Sequence, residues 1–214
     1  GDENIINLIE MGCWSNTYKL GSEENIKLSI EEGIIHLEGQ RFDLSELPMH
    51  GQHNLNNAVM AMYTTFLHGV DPQKAFLALK NSNGVKRRFE TVFQNNEKTV
   101  IDDFAHHPTA ISNTVEAAIN HFAPKKVMGI VELASNTMSQ GHHGAELYDS
   151  ASGLEQVYWL NLSSKKNQDF EYDSINLLLE DLKKDIDSFD VILIMSNKDS
   201  KKISEPIIDI IKSK

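Results

Sequence analysis

Residues 99–111 read Thr99-Val100-Ile101-Asp102-Asp103-Phe104-Ala105-His106-His107-Pro108-Thr109-Ala110-Ile111. An apolar run of β type ends on two carboxylates, and a short loop follows that carries two histidines. Pro108 then stands where the first turn of a helix accepts it, ahead of Ile111, Val115, Ala118, Ile119 and Phe122 at helical spacing. This is a strand, a polar loop and a helix in sequence, the unit from which parallel α/β sheets are built. Downstream the pattern repeats. Runs of β type at 126–133, 156–160 and 191–195 alternate with helical periodicity at 109–122, 143–152, 174–186 and 201–212. Residues 84–214 are therefore predicted to form an α/β domain with a mostly parallel sheet.

Upstream the chain differs in character. Short β-type runs at 17–20, 26–30, 34–37 and 41–44, separated by Gly21, Gly33 and Gly39, predict a small antiparallel meander. Leu55, Val59, Met62, Tyr63 and Phe66 then mark one face of a helix over 54–68. Gly69 closes it, Asp71 can cap the next helix, and Pro72 occupies that helix's first turn, with an end near residue 81. The turn formers at 81–84 mark the predicted domain boundary, giving segments 1–83 and 84–214.

Composition narrows the function classes. The 214 residues carry 20 basic and 31 acidic side chains, for a formal charge of −11. A field this negative, with no basic face evident in either half of the chain, opposes nucleic-acid or anionic-membrane binding. No apolar run approaches the roughly 20 residues of a membrane span, and no basic start precedes an apolar segment. Cys13 is the single cysteine, so neither an internal disulfide nor a cysteine-rich zinc site can form. A soluble, cytoplasmic protein is expected.

Open parallel sheets bind ligands outside the carboxyl ends of their strands. Three loops leave such ends here: 102–108, the stretch Ser135-Asn136-Thr137 beyond Leu133, and Ser196-Asn197-Lys198-Asp199 beyond Met195. Asp103 can accept from a sugar hydroxyl and neutral His106 can donate or accept, although Asp and Asn also cap helices at such places. In Gly51-Gln52-His53-Asn54-Leu55-Asn56-Asn57, the carboxamides of Asn54 and Asn57 can pair with an adenine; the competing role for Asn54 is as helix cap. Lys86-Arg87-Arg88 offers a guanidinium fork for phosphate, or a solvated basic run. The neighbours His106-His107 and His142-His143 do not share a helix face, and no HExxH spacing occurs, so no metal site is expected. A G-x-x-x-x-G-K-[ST] phosphate loop is also lacking.

The ordered set G-x-H-N-x-x-N at 51–57, R-R-F-E at 87–90 and D-D-F-A-H-H-P-T at 102–109 resembles the Mur ligase family, ATP-dependent amide-forming enzymes of peptidoglycan metabolism. With Ser135-Asn136-Thr137-Met138 and Met195-Ser196-Asn197, the chain is most similar to members that join UDP-N-acetylmuramate to L-alanyl-γ-D-glutamyl-meso-diaminopimelate. The UDP-N-acetylmuramate–L-alanine ligases are the alternative, and a non-catalytic nucleotide-sugar or peptide binding module is the alternative from another class. The resemblance implies that residues 1–83 are the β/α tail of a central P-loop ATPase domain and that 84–214 are a Rossmann-like carboxy-terminal domain. It implies a fragment, inactive alone, whose partners are the missing N-terminal domains and whose substrates are UDP-N-acetylmuramate and the murein tripeptide. It also implies ATP and Mg²⁺, the latter held mainly by the absent part. His53, Asn54 and Asn57 would approach the adenine, Arg88 the phosphates and Asp103 the ribose. His106, His107, Ser135, Asn136, Thr137, Met138, Ser196 and Asn197 would face the peptide, with Arg88, Asp103 and His106 at the reacting centre. Two departures stand out: Leu133-Ala134 replaces a Pro-Arg pair, and Lys198-Asp199-Ser200-Lys201 replaces a Gly-rich turn, which leaves the peptide specificity open.

Overall fold

The computed structural model describes residues 3–18, 28–31, 33–133, 144–162 and 170–214. It divides into two compact units, one of Gly1–Pro48 with Asn56–Ser82 and one of Met49–Leu55 with Asn83–Lys214.

In the first unit a helix, α1 (Glu3–Glu10), precedes the meander of β1 (Leu28–Glu31), β2 (Ile34–Leu37) and β3 (Gln40–Asp43). The three strands pair in sequence order and antiparallel, as the glycine spacing predicts. Thr17 and Tyr18, expected in a further strand, are irregular, and residues 19 and 20 lie outside the described residues. A one-turn helix at Leu44–Glu46 leads to α2 (Gln52–Leu67) and α3 (Pro72–Lys80). Asp71 caps α3 by accepting from the amides of Gln73 and Lys74, which satisfies two of the donors a helix start leaves unpaired.

The second unit is a three-layer α/β/α sandwich. Its sheet contains β4 (Glu90–Gln94), β5 (Thr99–Asp103), β6 (Val127–Glu132), β7 (Gln156–Leu160), β8 (Glu171–Tyr172) and β9 (Val191–Met195), in the order β4-β5-β9-β6-β7-β8. All pairings are parallel except the β4–β5 hairpin at one edge. β4 and β8 are strands that the apolar pattern does not announce. The helices are α4 (Pro108–Phe122), α5 (Gly144–Asp149), α6 (Ile175–Asp185) and α7 (Lys201–Lys212).

Strand periodicity divides the core. Val191, Leu193 and Met195 of β9 join Ile101, Ile111, Val115 and Leu147 beneath α4 and α5. Ile192 and Ile194 point the other way, with Val100, Leu178, Leu182, Ile203 and Ile207 beneath α6 and α7. Because β9 has a strand on each side and helices on each face, all five of its residues are buried. Each such Leu or Ile contributes roughly 1.5–3 kcal/mol relative to exposure. No described helix is long and apolar enough to cross a membrane.

Candidate functional site

β5, β9 and β6 are neighbours and run parallel, so Asp103, Met195 and Glu132 end at one edge of the second unit. The loops that leave β5 and β9 carry the polar residues of segments 102–108 and 196–199.

Asp102 and Asp103 are consecutive on β5 and so face opposite sides of the sheet. On the α4 side, Asp103 accepts from the amides of Phe89 at 2.7 Å and Ala105 at 2.8 Å, and from the Thr114 hydroxyl at 3.2 Å. It is 1% exposed, and a ribose hydroxyl would have to compete with those three donors. On the α7 side, Asp102 accepts from the Ser200 hydroxyl at 2.6 Å and pairs with Arg87 Nε at 3.3 Å. Burial pushes the Asp102 carboxyl up, against the opposing pull of Ser200 and Arg87.

Residues 87–89 form a turn between these two carboxylates. Arg87 and Phe89 both have φ of 57°, in the left-handed region that costs a non-glycine residue on the order of 1–3 kcal/mol. Several bonds hold it there. The Arg87 amide donates to Glu90 at 2.8 Å, its carbonyl accepts from the Phe104 amide at 2.8 Å, and its guanidinium donates to the Ser196 carbonyl at 2.5 Å. Arg88, at the centre, is exposed and makes no ion pair among the described residues. Its guanidinium carbon lies 5.4 Å from the centre of the Phe104 ring, and that of Arg87 lies 5.1 Å from the same ring.

Residues 49–55 belong to this unit. Gly51 has φ of 84°, and a Cβ there would come within 3.0 Å of Ala117 Cβ on α4 and of His53 Cε1, so the close approach requires glycine. Burial lowers the pKa of His53; the nearby Asp103 carboxylate opposes this and the Arg88 guanidinium adds to it. The ring of His50 lies 3.9 Å from that of His121 and edge-on to Phe89, and burial, then His121, lowers its pKa. Asn54 is buried and donates its amide group to the His50 carbonyl at 2.8 Å. Because α2 begins at Gln52, Gly51 precedes the helix and Asn54 sits in its first turn, which corrects the alternative of Asn54 as cap. Asn57 is exposed and belongs to the first unit.

Nδ1 of His106 lies 2.9 Å from the Phe104 carbonyl. A carbonyl only accepts, so Nδ1 donates in this bond and Nε2 is the ring's other polar atom. His107 is the exposed residue before α4 and makes no side-chain capping bond. Ser196 is buried, donates its hydroxyl to Glu132 and accepts from the Lys198 amide at 3.0 Å. Asn197 Oδ1 is buried without a hydrogen-bond partner among the described residues, an acceptor left for a ligand or water. Ser135, Asn136, Thr137 and Met138 lie outside the described residues, as do His142 and His143. Among the described residues no group of three His, Cys, Asp or Glu side chains could hold a metal ion. Sequence reasoning named Arg87, Asp102 and Ser200 only within motifs and gave them no role of their own, and it did not single out Glu132 or His50; the signal for Asp102 was a pair of carboxylates closing an otherwise apolar strand.

Known proteins share both the sequence pattern and the fold. The profile of the family described as Mur ligase, glutamate ligase domain, matches residues 87–198, more than half of the chain. The chain is 32% identical over 167 residues to the UDP-N-acetylmuramate–L-alanyl-γ-D-glutamyl-meso-2,6-diaminoheptandioate ligase of Escherichia coli (strain K12), covering 74% of this chain and 36% of that protein. It is 30% identical over 163 residues to the UDP-N-acetylmuramate–L-alanine ligase of Streptococcus pneumoniae (strain Hungary19A-6), with 76% and 36% covered. The crystal structure of a murein peptide ligase from Psychrobacter arcticus 273-4 superposes with a TM-score of 0.70 at 24% identity, over 97% of this chain and 49% of that one, which shows a common fold. The chain thus spans between about a third and a half of the length of these proteins. An α/β domain of this topology, matched over residues 87–198, places the chain in the Mur ligase family.

Proposed function

We propose that the chain is the nucleotide- and amine-facing part of an ATP-dependent ligase that joins the carboxylate of UDP-N-acetylmuramate to the amine of L-alanyl-γ-D-glutamyl-meso-diaminopimelate. A carboxylate oxygen of the muramoyl group attacks the γ-phosphorus of ATP and ADP departs. The peptide amine attacks the resulting acyl phosphate, the nitrogen gives up a proton to solvent or the departing phosphate, the C–O bond breaks, and phosphate leaves with the amide formed. The observation that carries this reading is Arg88, an exposed guanidinium without an ion pair among the described residues, presented beside His53 at the strand edge where α/β sheets bind ligands.

In this reading Arg88 meets the phosphates and His53 and Asn54 border the adenine, with Asn57 on the same helix. Asp103 sets the turn, and a ribose hydroxyl would reach it in competition with the donors it already holds. We assign His106 Nε2 and the Asn197 carboxamide, with His107 and Ser196, to the incoming amine, a role that the sequence motif also suggests for Ser135, Asn136, Thr137 and Met138. We assign the phosphate cradle and Mg²⁺ to a P-loop that these 214 residues do not contain; the metal would neutralise charge on the transferring phosphoryl group. The isolated chain is expected to be inactive, and the protein to work in the cytoplasm.

Phosphate release by the whole gene product, assayed with UDP-N-acetylmuramate, ATP and either tripeptide, tetrapeptide or L-alanine, tests the reading. Tripeptide should turn over fastest. L-Alanine as the preferred amine would move the chain to the alternative ligase group, and nucleotide-sugar binding without phosphate release would make it a binding module.

A further inference from the structure

The proposed function gives Arg88 a task and leaves Arg87 without one; a role for Arg87 rests on that function. Arg87 is the better anchored of the two. Its side chain is 27% exposed, pairs with Asp102 and donates to the main chain of Ser196, while Ser200 orients the Asp102 carboxylate from the start of α7. On the other side of β5, Asp103 holds the Phe89 amide. The turn is therefore gripped on both flanks by consecutive carboxylates on opposite faces of one strand, and among the described residues no carboxylate anchors its central residue.

We propose that Arg87 is a positioning residue. Bound to Asp102 and to the Ser196 carbonyl, it fixes the strained turn so that Arg88 is presented to the nucleotide phosphates. It also ties that turn to the 196–200 loop, so that the phosphate-binding guanidinium and the loop that faces the amine substrate are held as one body.

Three features distinguish this from a solvated basic run. The backbone around Arg88 is left-handed twice in three residues, a conformation that persists only where the surroundings enforce it. The Arg87 guanidinium reaches a residue 109 positions away in sequence, which no local preference explains. Asp102 is 4% exposed, and a carboxylate buried that deeply in a strand needs a partner to be retained.

The test is steady-state kinetics on the whole gene product, alongside amide spectra of the 214-residue chain. Arg87→Ala should raise KM for ATP about tenfold, approaching the effect of Arg88→Ala, and should raise KM for the peptide as well, which Arg88→Ala should not. Arg87→Lys, which keeps the charge facing Asp102 but cannot make both bonds, should fall between. Ser200→Ala, which removes one hydroxyl and is compatible with folding, should raise KM for ATP a few-fold with kcat retained. In the spectra the Phe89 amide resonance should shift in Arg87→Ala and Ser200→Ala. If Arg87→Ala only lowers kcat in step with the folded fraction, with both KM values and the Phe89 resonance unmoved, Arg87 is structural and the inference fails. If Arg88→Ala leaves KM for ATP unchanged, the proposed function fails first and takes this inference with it.

Discussion

Arg88 stands between two left-handed residues, with its charge facing solvent and no carboxylate claiming it among the described residues. Removing it should leave the fold intact and weaken nucleotide binding: Arg88→Ala is expected to raise KM for ATP by about ten- to a hundredfold, the scale of one or two charge-assisted bonds, with an unchanged melting temperature. His50 and His53 act in the opposite way, on stability. Both rings have pKa values below the ordinary 6.5, so between that value and their folded ones the unfolded chain binds more protons than the folded protein. Stability is full above pH 6.5, falls as the pH drops below it, and levels off once the folded rings protonate. His50→Gln should therefore shrink the loss of urea resistance between pH 7.5 and 5, although the ring's packing on His121 and Phe89 is lost at every pH. An unchanged difference between the two pH values would show that the His50 ring is as basic folded as unfolded.

Among the elements, β9 and β6 have the least tolerance. Leu193 lies under α4, fully buried, and Leu193→Ala should cost about 2–5 kcal/mol in denaturant titration through lost transfer energy and an uncollapsed cavity. Strands of this kind are also the ones that the sequence shows most clearly, because burial on both faces favours apolar residues: 99–103, 156–160 and 191–195 have the same limits in the structure as in the pattern, and 191–195 is apolar throughout. β4 was missed for the converse reason. It is an edge strand whose Glu90, Thr91 and Gln94 meet solvent, so no alternation of apolar residues marks it, and it pairs through backbone bonds that composition does not encode. The two residues of β8 are too few for any period. Of the site, motif residues such as His53, Arg88 and Asp103 were visible as types in a spacing. The Arg87, Asp102 and Ser200 network was not, since it ties Arg87 and Asp102 to Ser196 and Ser200, 109 and 98 positions away, and only the sheet order brings them together.

For the molecule as a whole, the grouping of Met49–Leu55 with the later unit shows how contacts can depart from a linear boundary: seven residues packed against α4 and Phe89 precede the segment 56–82 that belongs elsewhere. The alkaline limit of stability should also be a property of the whole fold. Tyr158 donates to Asp185 and Tyr172 to Asp181, and burial together with these carboxylates pushes both phenols above their ordinary value of 10. Below that value their contribution is complete. As the pH rises past it, the unfolded chain loses phenolic protons that the folded protein keeps, and stability declines. Absorbance at 295 nm should show both tyrosines ionising only with unfolding, and Tyr158→Phe should flatten the alkaline decline; free ionisation of all tyrosines near pH 10 in the folded protein would contradict this.

The place of β9 also bears on how the polypeptide is made. The strand at the middle of the sheet is the last of the six to be synthesised, and until residue 195 clears the ribosome β5 and β6 have open backbone edges and an unfilled slot between them. A nascent chain stalled before that point holds two sticky strands and no centre, so truncation ahead of β9 should send the product to chaperones and proteases instead of yielding a smaller stable domain.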